Sequence, residues 1–241
     1  MNRFSLLLVL LITGSSYLFA QTETDSLSNK KNWNKAQLSG RAADHFMLQF
    51  GYNGWSGETD GINTGGFSRT FNMHFMFDFP FKSSPHFSAA LGVGVGTDNM
   101  FFKKTRIDLT NAPLAFATDT LNTYKKYKLA TTYLEVPLEL RYAANPGNFN
   151  KSFKAAIGIK VGTMVDAHTK AKITRDTQGN GNYSVRVKDR RDFNATRLAA
   201  TARVGYGVFS VFATYQLTAF VRDGAGPDIK PYSIGLCISG L

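Results

Sequence analysis

The stretch 133–142, YLEVPLELRY, alternates between apolar and polar side chains almost without interruption. Successive side chains of a β-strand point to opposite faces, so the alternation predicts a strand with two unlike faces. One face is wholly apolar: Leu134, Val136, Leu138, Leu140 and Tyr142. The other face carries three charges: Glu135, Glu139 and Arg141. A helix, with its 3.6-residue period, would mix the two sets, so the stretch indicates a strand that separates two different media.

The same alternation recurs along the chain, and no helical period is present to supply a covering layer. Eight segments show it: 46–53, 71–81, 87–96, 133–142, 153–166, 197–206, 210–217 and 232–238. The second segment has the most apolar face, with Phe or Met at every odd position from Phe71 to Phe81. The connections between the segments alternate long and short, as in bacterial outer-membrane barrels. We therefore predict an all-β fold, an eight-stranded antiparallel up-and-down transmembrane β-barrel with lipid outside.

The N-terminus predicts export. Arg3 precedes the apolar run from Leu6 to Ile12, which is too short to span a bilayer, and Ala20 precedes a plausible cleavage point. We predict a signal peptide at 1–20, a flexible polar periplasmic segment at 21–43 and an outer-membrane β-barrel at 44–241. The protein would then be integral to the bacterial outer membrane. Trp55 is expected to face outward in an aromatic girdle at the loop end.

Positive charge is concentrated in two of the long connections. The net charge is +11, with six Lys or Arg against three Asp in 98–128 and seven against two in 170–191. In an exported barrel this charge favours the anionic membrane surface over nucleic acid. We expect lipopolysaccharide at these basic extracellular loops and consider other envelope or secretion-system proteins as further partners. A generically solvated basic surface is the simpler alternative.

The inward faces predict a charge network in the lumen. If the turn after 133–142 is centred between Gly147 and Asn148, Glu135 lies opposite Lys160 and Arg141 opposite Lys154. The network comprises seven residues: Glu135, Glu139, Arg141, Lys154, Lys160, Arg197 and Arg203. A small barrel is just filled by its side chains, which favours a structural plug of ion pairs over a gated ion path. Pro137, which cannot donate a ladder hydrogen bond, indicates a local bulge or a weak seam.

Catalytic and metal-binding signatures are weak. Asp166, predicted to face inward, and His168 share a face of the fifth strand, but residues two apart on a strand lie about 7 Å from each other and would need a third group between them. No Ser stands out as a nucleophile. The run Asp176, Gln178, Asn180 and Gly181 partly imitates a calcium loop, but Val187 stands where the closing Glu belongs. We expect no catalytic residue, no cofactor and no bound metal.

The hairpin formed by 133–142 and the stretch 156–162, AIGIKVG, resembles outer-membrane β-barrel proteins common in Bacteroidetes, the group that includes PorT-like proteins. The resemblance implies an outer-membrane location and, for PorT-like members, a part in protein secretion. We therefore expect a non-catalytic structural, binding or secretion-accessory component of the cell envelope. The alternatives are an outer-membrane lipid-modifying enzyme and a narrow channel.

Overall fold

The computed structural model describes residues 45–58, 61–109, 114–118, 123–148, 151–175 and 183–240. The proposed signal peptide, the segment 21–43 and the calcium-like run at 176–181 lie outside these ranges. The strands are β1 (Phe46–Gly57), β2 (Arg69–Phe81), β3 (Ser84–Phe102), β4 (Thr105–Asp108), β5 (Ala115–Thr118), β6 (Thr123–Ala143), β7 (Phe153–Arg175), β8 (Tyr183–Lys188), β9 (Thr196–Tyr206), β10 (Phe209–Gln216) and β11 (Ile229–Ser239). Among the described residues, no helix is long and apolar enough to cross a membrane.

Eight of these strands close into an antiparallel barrel. Hydrogen bonds join them in the order β1, β2, β3, β6, β7, β9, β10, β11 and back to β1. Each barrel strand is therefore bonded to the barrel strands that precede and follow it in the chain. The predicted fold class is confirmed, and the eight predicted segments lie within these strands except for Leu217, which follows β10.

The two faces of the barrel are as unlike as the alternation predicts. The outward side chains of β6 from Leu134 to Leu140 are 44–52 % exposed, whereas the inward Glu135 and Glu139 are 0 % and 3 % exposed. On β2 the odd-numbered residues from Phe71 to Phe81 face outward, while His74 and Met76 are buried inside. The outward rows form a continuous apolar band around the barrel. Burying this band in lipid is what stabilises a wall with no second layer.

Three barrel strands continue beyond the apolar band at the loop end, which the sequence analysis did not predict. The long connection 98–128 contains the ends of β3 and β6 and a small β4–β5 hairpin. The connection 170–191 contains the end of β7 and β8, which pair as a hairpin. Beyond the lipid the arrangement is reversed: on β7, Ala171 and Ile173 are buried inside and Lys170 and Lys172 are exposed outside, so the lipid-facing pattern by which the other strands were found does not apply.

A β-bulge at Val165 changes the phase of β7. Thr132 pairs with Asp166 but Tyr133 pairs with Met164, so Val165 has no partner on β6. Met164 is buried inside, and beyond the bulge the buried positions are odd-numbered, beginning with Ala167. The prediction that Asp166 faces inward is therefore wrong, because the extra residue turns it to the outer face.

Trp55 lies inside the loop end and not in an outer girdle. Its ring centroid is 5.4 Å from that of Phe102, 5.6 Å from Phe220 and 6.0 Å from Phe116. The expectation that Trp55 faces outward is wrong, because the odd-numbered residues of β1, such as Asn53, face inward and Trp55 is one of them. The aromatic rings instead form part of an apolar cluster that fills the loop end of the barrel.

Candidate functional sites in the lumen and at the loop end

Glu135 is the centre of a buried charge cluster in the lumen. Its Oε2 lies 3.0 Å from Nζ of Lys160 and 2.9 Å from Nε2 of His74, and its Oε1 lies 3.3 Å from a guanidinium nitrogen of Arg197. Arg197 also donates to Asp98 at 2.8 Å. The five residues come from β2, β3, β6, β7 and β9, so the cluster bridges the barrel interior.

A second cluster surrounds Glu139. Its Oε2 accepts hydrogen bonds from Nε of Arg141 at 2.8 Å and from a guanidinium nitrogen of Arg203 at 3.0 Å. Arg203 also donates to Ser239 at 3.1 Å, and Arg141 lies 3.8 Å from Asp78. Charge-assisted hydrogen bonds of this kind offset part of the cost of removing charges from water.

The register of the β6–β7 hairpin differs from the predicted one by two residues. Glu135 lies opposite Gly162, and Lys160 lies opposite Pro137. Glu135 and Lys160 nevertheless form an ion pair, because diagonal neighbours are within reach of a long side chain. Arg141 lies opposite Ala156 and not Lys154, which is buried opposite Ala143. The predicted pairing of Arg141 with Lys154 is wrong.

Glycines on β3 make room for the Glu135 cluster. A Cβ added to Gly94 would lie 2.6 Å from Cδ2 of His74, and one added to Gly96 would lie 2.8 Å from Oε2 of Glu135. Both distances are shorter than carbon contacts allow. His74, Asp98 and Asp78 were not among the seven residues predicted for the network. All three occupy inward-facing positions of β2 and β3, as the seven predicted residues do on their strands, and this position could have identified them.

The lumen is packed on both sides of these charges. At the loop end, Met100, Leu129, Tyr133 and Met164 pack with apolar residues of the loops. In the turn-end half, a second apolar cluster fills the interior: Met47, Met76, Ala90, Phe212 and Cys237. Side chains therefore occupy the interior along its height, as expected for eight strands.

Pro137 interrupts one ladder without a bulge. Between β3 and β6, Leu91 pairs with Leu138 and Gly94 pairs with Glu135. The register is the same on both sides of Pro137, and only the positions between these two pairs are unpaired. The bulge interpretation of Pro137 is wrong. Since proline lacks an N–H group, its effect here is a local gap in the β3–β6 hydrogen bonds.

A basic groove lies at the loop end, on the outer side of β2, β3 and β6. Its volume is about 1080 Å³. Six cationic residues line it: Arg69, Lys103, Lys104, Lys125, Lys126 and Lys172. Aromatic rings of Phe67, Phe101 and Tyr124 contribute the apolar part of the lining. Basic residues from both of the predicted loops therefore meet in one surface.

Comparison with known proteins assigns the family. A family described as "Outer membrane protein beta-barrel domain" matches residues 19–222, most of the chain. The chain belongs to this family. Together with the closed barrel, this membership places the protein in the outer membrane as an integral protein.

Solved structures with similar folds include Ail, the attachment invasion locus protein of Yersinia pestis. One Ail structure is 15 % identical, with a TM-score of 0.35, and the alignment covers 80 % of this chain and 94 % of that one. A second, in complex with the heparin analogue sucrose octasulfate, is 14 % identical with a TM-score of 0.33 and the same coverage. No curated protein sequence matches this outer-membrane barrel.

Asp166 and His168 form a direct hydrogen bond on the outer face of β7. The distance from Asp166 Oδ2 to His168 Nδ1 is 2.7 Å, so the expectation that a third group must stand between them is wrong. Arg186 and Lys188 on β8 also pair with Asp166, at 3.6 Å and 2.6 Å. Partial burial alone would raise the pKa of Asp166, but the hydrogen bonds from Lys188 and His168 lower it below its usual value.

The surroundings of this pair are those of an ion-pair cluster. Among the described residues, no Ser, Thr or Cys side chain hydrogen-bonds to His168. No group of three or more His, Cys, Asp or Glu side chains in the described ranges is arranged to hold a metal ion. The contacts of Asp166 fasten β8 to β7.

Proposed function

We propose that this barrel is a non-catalytic structural or binding component of the cell envelope whose lumen is closed by buried ion pairs. One observation carries the proposal: inside the barrel, Glu135 pairs with Lys160 of β7 and Arg197 of β9, and Glu139 pairs with Arg203 of β9. Three cations converge on these carboxylates from β7 and β9, where a water-filled channel would need open space. The seven lumen residues of the sequence analysis would then act as a structural plug.

Further parts of the proposal concern export and partners. We infer a cleaved signal peptide at 1–20, a polar periplasmic segment at 21–43 and kinship with the Bacteroidetes PorT-like proteins, which would admit a secretion-accessory role. The 133–142 and 156–162 sequence pattern supports that kinship. Lipopolysaccharide is the proposed partner of the loop-end surface, because the cations of that surface adjoin the apolar band.

The experiment that tests closure is a conductance measurement in planar bilayers. The full chain, purified from outer membranes, should give no steady single-channel current at either polarity. A reproducible ohmic conductance would favour the narrow-channel alternative and contradict the plug. An open porin reconstituted in the same bilayers serves as the positive control for insertion.

A further inference from the structure

The wall of the basic groove is fixed by backbone hydrogen bonds. The N–H of Gly65 donates to the carbonyl of Phe101 at 2.9 Å, and the N–H of Lys103 donates to the carbonyl of Asn63 at 2.9 Å. Gly65 also lies directly against the stem of Lys103, so a Cβ there would be 2.8 Å from its side chain. The segment before β2 is thus attached to the end of β3, and the groove between them has a defined shape.

Within the part of the chain that the structure describes, the cations of the groove lie close together and have no acidic partners. Arg69 and Lys126 lie 5.5 Å and 4.9 Å from the ring centroid of Phe101, so one buried ring orients both charges. The lining contains no Asp or Glu, and within the described ranges no carboxylate forms an ion pair with any of its six cations. Such a concentration of positive charge is expected to attract a multivalent anion.

Lys128, which faces outward on β6 beyond the apolar band, is also surrounded by other positive charges. Its Nζ donates to Oδ1 of Asn99 at 2.5 Å. Partial burial lowers its pKa, and the nearby charges of Lys126, Arg69, Lys170 and Arg186 lower it further. Like charges on β2, β6, β7 and β8 therefore repel one another, and a bound anion would relieve this repulsion.

The groove begins at the height of the lipid headgroups. Arg69 is two residues beyond Phe71, the last apolar outward residue of β2. Two residues of a strand tilted by 35–45° rise about 5 Å along the membrane normal. The headgroup zone extends roughly 5–8 Å beyond the hydrocarbon on each side. Lys103 and Lys104 follow the end of β3 and continue the positive surface away from the membrane.

We propose that this groove binds the phosphorylated sugar headgroup of a lipopolysaccharide molecule in the outer leaflet. The inference rests on the proposed function, since it takes the loop end to be the outer surface of a membrane barrel. Phosphate groups would lie against Arg69 and Lys126, and sugar rings against the exposed Phe67 and the neighbouring aromatic residues. The acyl chains would lie along the apolar band below.

The dimensions of the groove favour a glycolipid over smaller anions. A volume of about 1080 Å³ exceeds what one phosphate ion or one phospholipid headgroup fills, whereas a phosphorylated disaccharide with attached sugars is of that order. Six cations line this groove. Free phosphate would meet only some of them and would lack the apolar anchor.

Native mass spectrometry of the full chain in an uncharged detergent tests the inference, with diphosphoryl lipid A as the probe. The variant Arg69→Gln/Lys126→Gln removes two exposed charges from the groove, and Lys82→Gln/Lys151→Gln removes two exposed charges from the turn end as the matched control. Each surface cation strengthens anionic lipid binding about fivefold, so the groove variant should weaken it about 25-fold. The control should change the affinity less than twofold.

The outcomes separate the occupants. Equal weakening in the two variants would overturn the inference, since it would reflect net charge alone. Undiminished binding of lipid A without its phosphates would overturn it as well, and so would tighter binding of a soluble sulfated saccharide than of lipid A. Failure of inorganic phosphate in large excess to displace the lipid would support it. If Arg69→Gln/Lys126→Gln does not fold, Lys103→Gln/Lys104→Gln tests the same groove.

This test is independent of the closure test. A barrel that conducts current yet retains lipid A contradicts the proposed plug and leaves the groove assignment standing. A closed barrel with no preference for phosphorylated lipid A contradicts only the groove assignment.

Discussion

Replacing Glu135 by Gln should destabilise the barrel without opening it. Glu135 is fully buried and accepts from Lys160, His74 and Arg197. Gln has nearly the same shape but only one acceptor oxygen and no charge, so one donor must face an amide N–H group. Among the ion pairs of the described residues, Glu135 is the only carboxylate within 4.0 Å of the Lys160 ammonium, whereas Arg197 keeps Asp98.

The expected magnitude follows from these contacts. Breaking a buried ion pair by removing one partner costs about 3–5 kcal/mol. We expect the lower end, about 3 kcal/mol, because Arg197 retains one carboxylate and Gln retains one oxygen. The double variant Glu135→Gln/Lys160→Met should recover most of the loss, because it removes the unpaired ammonium as well.

Urea unfolding in phosphatidylcholine vesicles provides the free energy of unfolding, with Trp55 as the fluorescent probe in its aromatic cluster. The control is Asp228→Asn. The carboxylate of Asp228 is exposed and forms a long ion pair with Lys230, at 3.8 Å, so this variant should change the free energy of unfolding by less than about 0.5 kcal/mol. A loss in Glu135→Gln no larger than in the control would refute the buried-pair reasoning. A large new conductance in the same variant would refute the plug.

Two further predictions test the packing inside and the lipid outside. Gly94→Ala should lower the urea midpoint or prevent folding into vesicles, because its Cβ would collide with the backbone of β2, whereas Gly147→Ala, with no atom nearer than 3.6 Å, should fold normally. Equal behaviour of the two would contradict the close β2–β3 approach. Phe75→Arg, within the apolar band, should cost about 2–4 kcal/mol, while Thr97→Arg near its edge should cost about 0–1 kcal/mol, both measured by urea unfolding. Equal losses at the two depths would contradict the placement of the band.

Strand number and orientation could be predicted because lipid imposes one rule on every residue of the wall. Leu134 and Glu135 must lie in different media, and that requirement is visible in sequence without knowledge of the neighbours. The seven charged residues predicted for the lumen were chosen by the same rule. Beyond the lipid the apolar residues of β7 face inward and its outward residues are polar, so the lipid rule does not apply there, and the hairpin of β7 with β8 and the small β4–β5 hairpin were taken as loops.

Pairing between strands was less predictable. A one-residue error in the position of a turn moves each pairing by two residues, which is how Lys160 was placed opposite Glu135 and Lys154 opposite Arg141. Contacts such as Glu135 with His74 join segments 61 residues apart and depend on the curvature of the closed wall. No local pattern encodes that distance, so His74 and Asp98 were missed, and the contact of Arg141 with Lys154 was predicted wrongly.

The unpaired Val165 has a consequence for how the barrel can vary. Below it, even-numbered residues of β7 face the interior, and above it odd-numbered residues do, so that Ala171 and Ile173 reach the loop-end apolar cluster. If β7 ran through Val165 as a regular strand without the bulge, Lys170 and Lys172 would be directed into that cluster instead. The bulge at Val165 thus separates two patterns of inward and outward residues, one in the part of β7 that lipid surrounds and one in the projecting hairpin. Insertions in pairs above Val165 can lengthen the hairpin while the spanning part keeps its parity.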